Sequence, residues 1–413
     1  MTPSRELSAI IDEIYKRSVD AVDRIASYIH LTPIEASATF SKMTNSKVLL
    51  KYENLQKTGA FKVRGALYKI SKLVGKVKGV VAASAGNHAQ GVAYAASIYG
   101  LSSIIVMPES ASISKIEATR GYGAKVILHG RIYDDAEKKA QEIAKETGYE
   151  FIHPFDDPDI IAGQATIAHE LIKQVGSFDA VIVPIGGGGL ISGIAIVVKR
   201  LMPGVRVIGV EPENAPKMLE SIKSGKPVTI TPKPTIADGL ATKKPGELTY
   251  KIVSELVDEI VTVSEEELAH TIYLLLERGK VLVEGAGAAS LAALIYHKVE
   301  LQGRRVIAII SGGNIDLNAL YRVLLRGLAE GGRLARIIGY LPDYPGQLYQ
   351  VLETIARYRG NILDIFHDRS DVMAPAWHAK VSIIFEIPSK DHLENIIKEL
   401  RRRGFSFKVE CPK

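Results

Sequence analysis

From Lys47 onward the chain alternates two kinds of hydrophobic pattern. Short, nearly unbroken apolar runs rich in Val and Ile (KVLLK, KGVVAAS, SSIIVM, AKVIL, DAVIVPIG, VRVIGVEP and RRVIAIIS) are separated by longer stretches such as HAQGVAYAASIYG and DAEKKAQEIAKETG. The first kind predicts strands buried on both faces and the second predicts helices, so the repeated βα order predicts parallel sheets covered by helices. Ahead of them, MTPSRELSAIIDEIYKRSVDAVDRIASYIH spaces its apolar residues for one more helix. No apolar run approaches the ~18 residues that suggest a membrane span.

Near residue 330 the style changes. After the Gly pair in AEGGR the order becomes strand (LARIIGYL), helix (PGQLYQVLETIARY), two strands (NILDIFHDR, WHAKVSIIFEI), helix (KDHLENIIKELRRRG) and strand (FSFKVE). That βαββαβ succession is a complete small α/β sandwich. The Gly pair is therefore the expected boundary, with an α/β region up to residue 330 and a separate C-terminal domain over residues 333–413.

Composition sharpens this picture mainly by exclusion. A chain of 413 residues that is 46% hydrophobic and 24% charged can build more than one core. The net charge of +6 is small for this length, and no Lys/Arg block is interleaved with aromatics, so nucleic acid is not an expected partner. The single cysteine, Cys411, permits neither an intrachain disulfide nor a cysteine metal cluster. A cytoplasmic protein without a signal peptide and without a membrane anchor is expected.

Four segments carry candidate chemistry. TGAFKVRG sets Lys62 beside Phe61 soon after a strand, and such a lysine can be a surface charge, a phosphate anchor or a covalent catalyst. SAGNHAQG places Ser84, Ala85, Gly86, Asn87 and His88 between a strand end and a helix start, where free backbone N–H groups favour an anion; a capped helix start is the plainer reading. PIGGGGLISG again runs strand, glycines, helix. Gly186, Gly187, Gly188 and Gly189 let the backbone wrap a phosphate ahead of Leu190, with no Walker or Rossmann signature to require a nucleotide. In IISGGNID, Ser311 ends a strand facing the same edge, with a helix N-cap as its plainer reading. Ligands of open α/β sheets collect at strand C-terminal ends, where these four segments converge. An amine beside a phosphate cup suggests a phosphorylated aldehyde held as a Schiff base, which is pyridoxal phosphate.

The set resembles the threonine/serine dehydratase family of fold-type II pyridoxal-phosphate enzymes across residues 1–330. The resemblance implies two open parallel-sheet α/β domains with the cofactor between them, the larger from residues 1–50 and 151–330 and the smaller from 51–150. It implies Lys62 as Schiff-base lysine and acceptor of the substrate Cα proton, with Phe61 packed near the ring. Asn87 is expected on the ring's 3′-oxygen, Ser84, Ala85, Gly86 and His88 around the substrate carboxylate, residues Gly186 to Leu190 on the phosphate, and Ser311 opposite the pyridine nitrogen. A hydroxyl there cannot hold that nitrogen protonated as a carboxylate would, which favours β-elimination over transamination. The implied reaction converts L-threonine to 2-oxobutanoate and ammonia, with L-serine as a second substrate.

Relatives mark the alternatives. Serine racemases resemble this chain closely but carry a second serine where Ala85 stands. Metal-binding relatives carry a carboxylate pair around EPENAPK; here Glu211 remains while the later position is Lys217, so no metal is expected and an ammonium can sit in the cation's place. A catalytically inert amino-acid-binding regulator is the remaining alternative, against which Lys62 argues. The region beyond residue 333 resembles a single ACT-type regulatory domain, with PDYPGQL as its first turn. That likeness implies an amino-acid site around Pro345 and Gly346, with isoleucine or valine as effector, and assembly as a homodimer or homotetramer.

Overall fold

The computed structural model describes residues 5–410; Cys411 lies outside them, as do the first four residues of the N-terminal helical pattern. Contacts divide the chain into two compact units, residues 1–316 and 317–413. Among the described residues, no helix is long and apolar enough to cross a membrane.

The first unit holds ten strands among its described residues: β1 (Ile34–Ala36), β2 (Lys47–Tyr52), β3 (Gly79–Ala83), β4 (Ser102–Met107), β5 (Lys125–Leu128), β6 (Glu150–Phe151), β7 (Ala180–Pro184), β8 (Arg206–Pro212), β9 (Glu259–Val263) and β10 (Arg305–Ile310). They form a six-stranded sheet in the order β1-β2-β10-β7-β8-β9 and a four-stranded sheet in the order β5-β4-β3-β6. Every pairing is parallel except that of β1 with β2. The central strands β3 and β7 are buried at every position, as sheets covered on both faces require. Helix Lys62–Ser71 packs between helix Asn87–Ile98 of the small sheet's layer and helix Pro158–Val175 of the large one. Asp157 caps the latter, accepting the N–H groups of Asp159 and Ile160, with Pro158 in its first turn.

Three strands were not expected from the apolar runs. β1, β6 and β9 are short edge strands that bury only part of their side chains, so none carries the unbroken hydrophobic pattern of a central strand.

The second unit contains helix Leu317–Glu330, β11 (Leu334–Pro342), helix Gln347–Arg357, β12 (Asn361–Asp368), β13 (His378–Glu386), helix Lys390–Arg402 and β14 (Phe407–Glu410). Its antiparallel sheet has the order β12-β13-β11-β14, which is the βαββαβ sandwich read from the sequence. The Gly pair is not the boundary between the units. Gly332, at φ +67°, ends helix Leu317–Glu330, with Gly332 N–H on Ala329 O and Arg333 N–H on Leu328 O, so these glycines terminate a helix belonging to the second unit.

Candidate active site

Lys62 opens its helix directly after a tight backbone turn. Thr58 (φ +63°) and Gly59 (φ +71°) both lie in the left-handed region, and a Cβ on Gly59 would stand 2.5 Å from Asn314 Oδ1. The turn is stitched to the end of β10: Phe61 N–H donates to Ser311 O (3.1 Å), Gly313 N–H donates to Gly59 O (2.9 Å), and Ala60 bridges to Gly312. The lysine and serine segments, far apart in the chain, are thereby neighbours. Behind Lys62, Arg64 is buried between Glu53 and Glu170 and fixes the helix from below.

Lys62 Nζ donates to Pro154 O (2.7 Å) and lies 5.4 Å from the centre of the Phe61 ring. Among the described residues, no carboxylate pairs with it. Burial without a counter-charge pushes its ammonium down to about 8, so a proton is easily lost. Helix Asn87–Ile98 crosses close to this lysine because of Gly91, whose Cβ would lie 3.2 Å from Val63 N. The final glycine of SAGNHAQG is therefore a contact point for the Lys62 backbone.

At the start of that helix, Gly86 N–H donates to Ser84 Oγ (3.1 Å), whereas the N–H groups of Ala85, Asn87 and His88 donate to no acceptor among the described residues. The His88 imidazole is turned away from them. It is 4% exposed, its Nε2 meets Ile152 O at 3.0 Å, and burial, with the Lys62 charge adding, pushes it down to about 3. The imidazole is thus a neutral internal donor, and what His88 turns toward the expected carboxylate position is its backbone N–H.

Asn87 has a partner the sequence reading missed. Its Nδ2 donates to Glu284 Oε1 (2.7 Å) while its Oδ1 accepts from Asn314 Nδ2 (2.8 Å). Glu284 is buried, and its carboxyl is pushed up to about 7 by burial first and by the Asp238 charge second. Gly312 is a glycine because its Cβ would stand 2.2 Å from Glu284 Oε1. The signal available was a lone glutamate in LVEGAGAAS, where a carboxylate heading a helix with no charged residue requires a reason to be buried.

Gly186, Gly187 and Gly188 lie between β7 and helix Gly189–Leu201, which Gly189 opens. Gly188 has φ +102°, a Cβ on Gly187 would strike the Phe155 ring at 2.3 Å, and a Cβ on Gly189 would press on the Phe155 backbone at 3.0 Å. None of the N–H groups of residues 186–191 donates to an acceptor among the described residues. This run of consecutive free donors at the start of a 13-residue helix forms an anion cradle. Ser311 is 2% exposed and its hydroxyl also has no partner among the described residues. An uncompensated amine, a donor cradle and an unpartnered hydroxyl fit the aldehyde, phosphate and ring nitrogen of pyridoxal phosphate.

Glu211 and Lys217 lie beneath the cradle, both fully buried. Lys217 Nζ is 2.8 Å from Glu211 Oε1 and donates to Ile185 O (2.7 Å) and Leu240 O (3.0 Å), with Ala215 O at 3.4 Å, so its three hydrogens all meet oxygens.

The family model described as pyridoxal-phosphate dependent enzyme matches residues 25–312. The L-threonine ammonia-lyase of Thermotoga maritima is 45% identical over 392 residues, covering 94% of this chain and 98% of its own. Among solved structures, the threonine deaminase of T.th. is 44% identical, with TM-score 0.70, over 73% of this chain and 98% of that one. Maize serine racemase is 37% identical, with TM-score 0.72, over 76% and 98%.

Proposed function

The chain belongs to the family of pyridoxal-phosphate-dependent enzymes, and from that premise we propose that it is a threonine ammonia-lyase, converting L-threonine to 2-oxobutanoate and ammonia with L-serine as a secondary substrate. The observation that carries the reading is the placement of Lys62, free of any carboxylate, in one site with an unpartnered Ser311 hydroxyl. When bound, pyridoxal phosphate supplies an aldehyde that condenses with amines and a ring that accepts the electron pair left at the substrate's Cα.

In this reading the free N–H groups of residues 186–190 hold the phosphate, Asn87 directs its remaining Nδ2 hydrogen at the ring oxygen, and Ser311 partners the ring nitrogen. Lys62 is the residue that would hold the aldehyde. Burial pushes its ammonium down, so that it gives up a proton readily, which suits Lys62 to take the proton at the substrate's Cα. The N–H groups of Ala85, Asn87 and His88 receive the substrate carboxylate, with the Ser84 hydroxyl beside them. Because Ser311 is an alcohol, it would not hold the ring nitrogen protonated, which favours loss of the β-hydroxyl, and the proton removed from Cα and that hydroxyl leave together as water. The released enamine tautomerises, and water hydrolyses it to the oxo acid and ammonia.

The second unit is read as an ACT-type regulatory domain in which the turn at Pro345 and Gly346 receives a branched amino acid. The purified protein is expected to release 2-oxobutanoate from L-threonine, and Lys62→Ala to abolish that release. Borohydride reduction followed by peptide mapping should label Lys62; a label on another lysine overturns the assignment.

A further inference from the structure

The segment His153 to Asp157, which joins β6 to helix Pro158–Val175, touches both halves of the site. Pro154 O accepts from Lys62 Nζ (2.7 Å), and the Phe155 ring fills the space a Gly187 side chain would need. The Asp156 carboxylate accepts the N–H groups of Glu247, Leu248 and Thr249, each at 3.0 Å, and so caps helix Glu247–Leu256. A Cβ on Gly246 would stand 2.1 Å from Asp156 Oδ1, so the helix start is seated directly on this carboxylate. From that helix the fully buried Thr249 donates its hydroxyl to Gly187 O (2.7 Å), and Gly246 N–H reaches the same oxygen at 3.3 Å.

This chain of contacts has a directional consequence. A trans peptide is planar, so the C=O of Gly187 and the N–H of Gly188 point in opposite directions. Two donors holding the carbonyl on the Thr249 side aim the Gly188 N–H away from it. Glycines have no side chain to fix their own conformation and sample left- and right-handed regions alike. A cup made of four of them needs its orientation imposed from outside.

We propose that Asp156 and Thr249 are positioning residues for the cofactor phosphate: Asp156 seats helix Glu247–Leu256, and Thr249 on that helix sets the Gly187–Gly188 peptide so that the glycine turn presents its donors. The proposal rests on the reading of residues 186–190 as the phosphate cup.

The test uses the full-length chain, stripped of cofactor with hydroxylamine and reloaded with either pyridoxal phosphate or pyridoxal, which lacks the phosphate. Binding is followed by the visible absorbance, alongside the melting temperature of each cofactor-free variant. Wild type is expected to bind pyridoxal phosphate far more tightly than pyridoxal. Asp156→Ala and Thr249→Val should each weaken pyridoxal phosphate about tenfold, the effect of a lost hydrogen bond, and leave pyridoxal affinity unchanged. The double variant should lose about as much as the more affected single one, because both act through one carbonyl. If Asp156→Ala fails to fold, the isosteric Thr249→Val decides alone. Variants that keep the full preference for the phosphorylated form, or that weaken both compounds equally, overturn the proposal while the cup reading stands. A wild type that binds both compounds equally overturns the cup reading, and the positioning role with it.

Discussion

Asn87 and Glu284, distant in the chain, are locked together by a 2.7 Å hydrogen bond from Nδ2 to Oε1 inside a buried site. The glutamate fixes the amide's orientation, since the side chain's oxygen is already committed to Asn314. It also brings an ionisable group into a place that disfavours its charge.

That placement predicts a pH signature. The Glu284 carboxyl, ordinarily near 4.5, is raised to about 7 in the folded protein. Between those values the folded state holds a proton that the unfolded state has released, so stability is fully present below about 4.5 and is lost as pH rises through 7. The shift corresponds to about 3 kcal/mol. Glu284→Gln keeps the shape and cannot ionise. In urea unfolding of the cofactor-free protein, the glutamine variant should gain about that much on wild type between pH 4.5 and pH 8. A difference that stays flat with pH would show that Glu284 does not titrate there.

Ala85 predicts which side reaction is suppressed. The likeness to serine racemases implies that a serine in this position serves as acid and base on the face opposite the lysine, and here that position offers only a methyl group. Ala85→Ser should therefore raise D-serine formation from L-serine relative to elimination, read by chiral chromatography against pyruvate release. Wild type should form very little D-serine. Abundant D-serine from wild type would mean that another group protonates that face.

The buried pair beneath the cradle yields a prediction about cations. Lys217→Ala leaves the Glu211 carboxylate without its counter-charge among the carbonyls of Ile185 and Leu240, and truncating one member of a buried pair typically costs about 3 to 5 kcal/mol. The vacated space is lined by oxygens, the chemistry of a potassium or ammonium site. The variant's melting temperature should fall, and should recover with added potassium or ammonium chloride but not with tetramethylammonium chloride at equal ionic strength. Wild type should respond to none of these salts beyond a common ionic-strength effect, and a variant no salt distinguishes would remove the case for Lys217 as an internal cation.

What the sequence made legible and what it hid follow one physical division. Asn87 and the glycine turn sit where a strand ends and a helix begins, Ser311 directly follows the end of β10 and Lys62 opens a helix, so local pattern alone marks each of them. Their supports act from a distance: Glu284 reaches Asn87, Asp156 reaches the helix that carries Thr249, and Arg64 joins Glu53 to Glu170. No short window of sequence contains all the partners of any of these. The partner of the His88 imidazole was hidden for the same reason, because its location in the motif is local while its acceptor, Ile152 O, belongs to another strand's end. In the second unit the alternation of strand and helix was transparent, whereas the Gly pair looked like a linker because helix termination and domain separation use the same residue.

The second unit should act as a sensor. Its first turn is built to hold a shape: Gly346 caps helix Gln347–Arg357 at φ +92°, Asp343 N–H donates to Trp377 O, and Arg369 pairs with the Asp343 carboxylate. Strand β12 stands at the sheet edge with Leu363 and Phe366 exposed, an apolar surface on which an amino-acid side chain or a second copy of the unit can be buried. An effector changes activity only by binding two states unequally, and a coupling of ~1 to 3 kcal/mol would shift threonine affinity roughly 5- to 150-fold. Isoleucine is the first candidate, as end product of a route that threonine deamination begins, with valine as its opponent. Removing residues 317–413 should leave an active enzyme blind to both, whereas Gly346→Ala, strained at positive φ, should weaken the response while keeping the unit folded. A unit that serves only to join subunits would instead show, on removal, a changed assembly state by light scattering with the same flat kinetics as before. Full-length protein whose threonine saturation curve is unmoved by isoleucine, valine or adenine nucleotides would end the sensor reading.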